Sequence, residues 1–216
     1  MIKGLIGVIH LPPMPGDPLS NSNTTFGETR DFALKDAQAL VMGGCDALII
    51  ENFGSSPFEK GDAKSRLPPH QISNLALIAH SCVRNFDVPI GVNCLRNDAY
   101  SAMGIASACE AHFIRVNVHT AAYLTDQGLI EGEAAHTLRY RASLNSKVEI
   151  LADILVKHAA PLVPTDPKTA AEDCIKRGHA DGLIVTGSGT GKPIELGLLE
   201  TVKNAANQKP VLLGSG

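Results

Sequence analysis

The sequence predicts an α/β fold, a (β/α)8 barrel of the TIM type, and three observations predict it. Seven short segments (4–11, 47–52, 89–95, 112–119, 148–154, 182–186 and 210–213) are near-continuous Val/Ile/Leu runs. Runs of that kind suit strands buried on both faces, as a parallel sheet requires. Helical patterns alternate with them, which is the βαβα order of an α/β fold. A weak repeat spaces Asp46, Ala111 and Asp181, each opening a similar strand, 65 and 70 residues apart. That is two βα units each time, so these are the second, fourth and sixth strands, and alternate strands of a barrel feed the same interior layers.

The helices follow in order. Residues 28–42 put Ala33, Leu34, Ala37, Leu40 and Val41 on one stripe, and Gly43-Gly44 ends that helix. Residues 71–85 gather Ile72, Leu75, Ile78, Ala79 and Cys82. Segments 98–110, 132–145, 167–178 and 194–207 complete the set, with Pro167 and Pro193 near the starts of the last two, where proline is tolerated. The chain reads as one barrel domain over 1–216. A full barrel needs about 250 residues, and Gly214-Ser215-Gly216 follows the seventh strand directly. The expectation is therefore a barrel lacking its last βα unit: a truncated chain or, failing that, a barrel left open or completed by another subunit.

Composition narrows the function. Hydrophobic residues make up 44%, there is no Trp, and the net charge of −3 is spread along the chain. No basic stripe suggests nucleic acid, and no apolar run reaches the roughly 18 residues of a spanning helix. Met1-Ile2-Lys3-Gly4-Leu5 runs straight into a strand, without the zones of a secretion signal. Cys45, Cys82, Cys94, Cys109 and Cys174 show no CxxC spacing and read as reduced thiols of a cytoplasmic protein.

In such a barrel the chemistry sits at the carboxyl ends of the strands. His10 ends the first strand, Glu51 and Asn52 the second, and Asn93, Arg96, Asn97 and Asp98 the third. Arg115, Asn117 and His119 share one face of the fourth by their period of two, and Asp153, Lys157 and His158 follow the fifth. Strands that turn polar only at this end predict a polar pocket. Glu51 and Asp153 are the acid/base candidates, because a buried carboxylate without a partner is costly. His10 and His119 would assist. Asn93, Arg96, Asn117, Arg115 and Lys157 would bind substrate. Lys157 reads as an ion-pair partner of Asp153 before it reads as a Schiff-base lysine. A divalent metal on His10, Glu51, Asp153 and His119 is a candidate by ligand type, but no HxH or HExxH spacing supports it; the cofactor stays unknown.

Two glycine-rich loops are phosphate candidates. Thr186-Gly187-Ser188-Gly189-Thr190-Gly191-Lys192-Pro193 departs from a Walker A loop at Thr186 and Pro193. Gly187, Ser188, Gly189, Gly191 and Lys192 could still cradle an anion at a helix N-terminus. Gly214 and Ser215 stand where many barrels hold a phosphate. The segment 10–18, with four prolines, reads as a stiff pocket wall. The long segment 53–69, with Lys60, Asp62, Lys64 and Arg66, reads as a lid whose basic residues close over an anionic ligand.

Gly7-Val8-Ile9-His10-Leu11-Pro12-Pro13-Met14-Pro15-Gly16 closely resembles the opening of the BtpA/SgcQ family. Ile50-Glu51-Asn52-Phe53, Gly91-Val92-Asn93-Cys94-Leu95-Arg96-Asn97-Asp98, Ile114-Arg115-Val116-Asn117-Val118-His119, Thr125-Asp126-Gln127-Gly128-Leu129-Ile130-Glu131-Gly132 and 185–193 are similar to it too. The resemblance runs from residue 4 to 216 and implies a barrel of the ribulose-phosphate-binding kind. It also implies a continuation past the final Gly-Ser-Gly. For function it points two ways, since a cyanobacterial member is linked to photosystem I biogenesis at thylakoids and another member to sugar utilisation. Two expectations follow. The first is an enzyme or binding protein for a small phosphorylated sugar or nucleoside-like metabolite, with homo-oligomers left open. The alternative is a non-catalytic biogenesis factor attached peripherally to a membrane.

Overall fold

The computed structural model of the chain describes residues 2–187 and 193–214. The first strand, β1 (Ile6–His10), leads through a proline-rich loop to helix α1 (Phe26–Met42). There follow β2 (Ala47–Glu51), α2 (Pro69–Asn85), β3 (Ile90–Asn93), α3 (Ala99–Ala108) and β4 (Phe113–Val116). A hairpin, β5 (Ala122–Thr125) and β6 (Gly128–Glu131), precedes α4 (Ala134–Ser143) and β7 (Glu149–Ile154). The short β8 (Ala159–Pro161) then leads to α5 (Pro167–Glu172), which passes into a π-helical turn over Asp173–Arg177. The remaining elements are β9 (Gly182–Thr186), α6 (Leu196–Ala205) and β10 (Val211–Gly214).

Seven strands form one sheet in the order β1-β2-β3-β4-β7-β9-β10, every neighbouring pair parallel. All seven expected strands are present, in the expected order. A single cavity is lined both by Ile6 and Val8 of β1 and by Leu212 and Leu213 of β10. In a flat sheet those strands would stand roughly 29 Å apart, six strand spacings. The sheet is therefore curled into a partial barrel, with β1 and β10 as its edges.

The chain builds these elements by local rules. Thr25 caps α1 in a capping box: Glu28 donates its N–H to Thr25 Oγ1 (3.2 Å), and Glu28 Oε2 accepts from the Thr25 N–H (3.0 Å). Asp98 caps α3, accepting from the Ser101 N–H at 3.0 Å, and Asp166 caps α5 ahead of Pro167. Along each strand alternate residues face outward to the helices. Ile9, Leu48, Ile50, Ile90, Val92, Ile114, Val116 and Ile150 pack with residues of α1, α2 and α3. Ala152, Ile154, Leu183 and Val185 pack with α5 and α6. Each fully buried aliphatic side chain contributes about 1.5–3 kcal/mol.

The second sheet, β6-β5-β8, is antiparallel and was not expected. It stands on the segments leaving the carboxyl ends of β4 and β7. Its underside, Tyr123 and Ile130, packs on Val118 and Val156.

Candidate functional site

The inward half of the two-residue period builds the site. Val8, Ile49, Phe113, Leu151 and Ile184 form an apolar layer inside the curl. Two residues further along β1, β2, β4 and β7 stand His10, Glu51, Arg115 and Asp153, and β3 contributes Asn93 above Gly91. Register aligns them, His10 with Glu51 and Glu51 with Asn93. Gly91 is glycine because the Phe113 ring occupies its side-chain space: a Cβ there would lie 2.3 Å from Cε2. That ring floors the polar layer.

Arg115 is the hub. Its Nε donates to Asp153 Oδ1 at 2.9 Å and its Nη2 to Asp153 Oδ2 at 3.0 Å. Its Nη1 donates to Glu51 Oε1 at 3.0 Å. Asn93 Nδ2 adds a bond to Glu51 Oε1 at 2.9 Å, and Asn117 Nδ2 one to Asp153 Oδ2 at 3.0 Å. Burial opposes the charge on Glu51, but His10, Arg115 and Asn93 outweigh it and hold the carboxyl below its ordinary pKa. Burial likewise opposes the Arg115 charge, and Asp153 and Glu51 overcome it, so the guanidinium is held above its ordinary value.

His10 stands at the mouth of the pocket. Its Nε2 lies 3.6 Å from Glu51 Oε2, and its side chain is 52% exposed. The ring stacks on Phe53, centroids 4.4 Å apart. The segment carrying Phe53 is held close, because Gly54 packs against the peptide between Pro12 and Pro13 with no room for a side chain. Asp17 ties the same corner together, accepting from the Met14 N–H, Ser55 Oγ and Gln71 Nε2.

The cavity over this layer measures about 860 Å³. Arg96, Lys157, His158, Asp126 and Phe58 complete its rim. Arg96 Nη2 donates to the Lys157 peptide oxygen at 3.3 Å. Burial first, and the Arg115 charge with it, push the pKa of both Arg96 and Lys157 down, and Asp153 and Glu51 offset part of this.

The profile of the BtpA family matches residues 1–216. The chain is 48% identical over 212 residues to the photosystem I biogenesis protein BtpA of Synechocystis sp., covering 98% of this chain and 72% of that protein. An uncharacterized protein of Methanocaldococcus jannaschii is 41% identical over 214 residues, covering 99% of this chain and 78% of its own length. The chain belongs to the BtpA family. Among solved structures, a 2-keto-3-deoxygluconate aldolase from Picrophilus torridus superposes with a TM-score of 0.57 at 11% identity, over 99% of this chain and 67% of the aldolase. At that identity the likeness extends to the barrel fold alone.

In this BtpA-family chain the pocket brings together His10, Glu51, Asn93, Arg96, Arg115, Asn117, Asp153 and Lys157. It does not include His119. That ring is 1% exposed, its Nε2 is 2.8 Å from the Gly178 carbonyl, and it lies beyond the end of β4, where alternation no longer sets direction. The four residues considered for a metal are therefore not gathered. Among the described residues no group of three or more His, Cys, Asp or Glu is placed to hold one. Asn52, Asn97 and Asp98 are also turned to other work. Asn52 clasps Leu95 at both its N–H and carbonyl, Asn97 accepts from the Val118 N–H, and Asp98 caps α3. Of the glycine-rich candidates, Ser188, Gly189, Gly191, Lys192 and Ser215 lie outside the described residues; Gly187 directly follows β9 and Gly214 lines the cavity. Asp126, Phe53 and Phe58 join the pocket without having been singled out for it. The signal for Asp126 was present: Tyr123 to Ile130 is two apolar runs around Asp126-Gln127-Gly128, a hairpin pattern.

Proposed function

We propose that this chain is an enzyme that moves a proton on a small polyhydroxylated metabolite, a phosphorylated sugar or nucleoside-like compound, in a barrel of the ribulose-phosphate-binding kind. The observation that carries the reading is His10 Nε2 standing 3.6 Å from a Glu51 carboxylate that Arg115 and Asn93 hold ionised. A carboxylate so fixed orients an imidazole for proton transfer. The roles divide accordingly: His10, half exposed and braced by Phe53, exchanges the proton with substrate, and Glu51 positions it. Asp153 holds Arg115 and Asn117 in place, and the polar layer orients hydroxyl groups.

The test is proton NMR of the protein in D2O with a panel of aldose phosphates, ketose phosphates and nucleosides, read for loss of C–H signal and for new products. Turnover that His10→Gln abolishes is the expected result. Turnover that survives His10→Gln removes the assignment, and an inactive panel removes the proposed chemistry.

The name of the Synechocystis relative favours a second reading, a factor that assists a membrane complex. Among the described residues no helix is long and apolar enough to cross a membrane; on this reading a protein partner carries the attachment. Leu162 and Val163, 59% and 68% exposed beside β8, are where such a partner would meet apolar surface. The enzyme reading is preferred because it also accounts for the polar layer.

A further inference from the structure

Arg96 is a buried cation short of anions. Only 8% of its surface is exposed, and that part belongs to the lining of the pocket. Of its five N–H groups one donates to a peptide oxygen, that of Lys157 at 3.3 Å. Its Nε is buried with no acceptor. Among the described residues it forms no ion pair, because the two carboxylates of the polar layer, Glu51 and Asp153, are committed to Arg115. A buried guanidinium left in this state is costly unless something else supplies the negative charge. Burial lowers its pKa, and Asp126, Asp153 and Glu51, set against Arg115, offset only part of that. Lys157 brings a second positive charge to the same rim, against the single carboxylate of Asp126.

We propose that Arg96, flanked by Lys157, is the anion subsite of this pocket and takes a phosphate monoester carried by the substrate. The inference rests on the pocket being a metabolite site, and it names the group by which the metabolite is recognised. A phosphomonoester fits better than a carboxylate. It offers three acceptor oxygens and about two negative charges, which match a guanidinium fork and a neighbouring ammonium. The subsite lies at the carboxyl ends of β3 and β7, not in the glycine-rich segment 187–192 that the sequence singles out. Arg96 and His10 line the same cavity as the polar layer, so one ligand can meet all three.

The experiment is isothermal titration of the full chain with ribose 5-phosphate, ribose and inorganic phosphate. The expected result is saturable binding of the two phosphate-bearing probes and much weaker binding of ribose. Arg96→Gln should weaken the phosphate-bearing probes about ten- to a hundredfold, the value of one or two charged hydrogen bonds. Arg96→Lys keeps the charge and the packed stem and should lose less; it serves as the readout if circular dichroism shows the glutamine variant misfolded. Lys192→Ala should bind as wild type, and Asp126→Asn more tightly. Wild-type affinity in the Arg96 variants, a loss confined to Lys192→Ala, or no phosphate binding by the wild-type chain would each overturn the subsite. Phosphate bound through Arg96 with no turnover of any sugar would spare the subsite and remove the proton-transfer role. Turnover of neutral sugars indifferent to Arg96→Gln would do the reverse.

Discussion

Arg115 and Asp153 face each other across neighbouring strands with two parallel hydrogen bonds, Nε to Oδ1 at 2.9 Å and Nη2 to Oδ2 at 3.0 Å. The third arm of the same guanidinium holds Glu51. Two buried carboxylates thus depend on one cation, and removing it strands both. Arg115→Met should cost about 3–5 kcal/mol, the usual penalty for leaving a buried charge unpaired. Arg115→Lys should recover only part of this, since an ammonium cannot make the paired contact. Urea unfolding of the two variants checks the order. A methionine variant as stable as wild type would mean that Asn93, Asn117 and water suffice for the carboxylates.

Gly54 and Gly197 make an opposed pair. A Cβ at Gly54 would sit 2.3 Å from Pro13 N, against backbone that cannot turn aside. Gly54→Ala should therefore destabilise by about 1–3 kcal/mol, as overpacking does, and shift Phe53 from beneath His10. Nothing lies within 4 Å of the corresponding position at Gly197, in the first turn of α6. Gly197→Ala should stabilise by about 0.4–1 kcal/mol through helix propensity and a less flexible unfolded chain. Thermal melts compare them directly; a shared sign would contradict the packing described here.

The strands and the inward polar layer were legible because a buried parallel strand carries two signals at once, an apolar run and a fixed alternation. That alternation puts Glu51 and Asp153 inside without any tertiary information. It stops at the strand end. Asn52, Asn97 and His119 look, as letters, like pocket residues, but they sit on turning backbone; Asn97 has φ 63°. Their side chains go to loop peptide groups instead. The β5–β6–β8 sheet escaped for a different reason. Its strands are three or four residues long with half-exposed faces, too short for the alternation to rise above chance. Partnership is also hard to read in sequence: Lys157 reads as the ion-pair partner of Asp153, whereas one Arg115 serves both Asp153 and Glu51.

Acid should weaken the fold through His119. Burial, only partly offset by the Gly178 carbonyl and by Asp181 against Arg141, lowers its pKa from the ordinary 6.5. The unfolded chain then binds this proton more readily than the folded one, so stability is full above about pH 6.5 and falls as pH drops below it. The lowered carboxyl of Glu51 adds a loss of the same sign further down, below its ordinary 4.5. His119→Gln keeps a donor for Gly178 and cannot titrate, so it should flatten the upper part of the profile. Urea unfolding at a series of pH values between about 7.5 and 5 reads this. Equal slopes for the two proteins would assign the acid sensitivity elsewhere.

The segment between β2 and α2 is held shut by Arg66, against the expectation of a lid whose cations close over ligand. Arg66 Nη1 and Nη2 donate to Glu133 at 2.7 and 3.3 Å, and Nη1 also to Asp98 at 3.2 Å. Its guanidinium lies over the Tyr100 ring, which stacks on Tyr140 of α4. Lys60 is engaged too, by the Leu129 carbonyl and Asp62. What this segment offers the pocket is Phe53 and Phe58 rather than charge. Arg66→Ala should then cost about 2 kcal/mol, the scale of a charge-assisted pair with a buried acid. It should also raise hydrogen exchange across residues 56–68 while leaving the β-sheet protected. Mass spectrometry of exchanged peptides reads both regions together. Fast exchange of this segment already in the wild-type chain would restore the lid, because a clasp that opens on its own holds nothing shut.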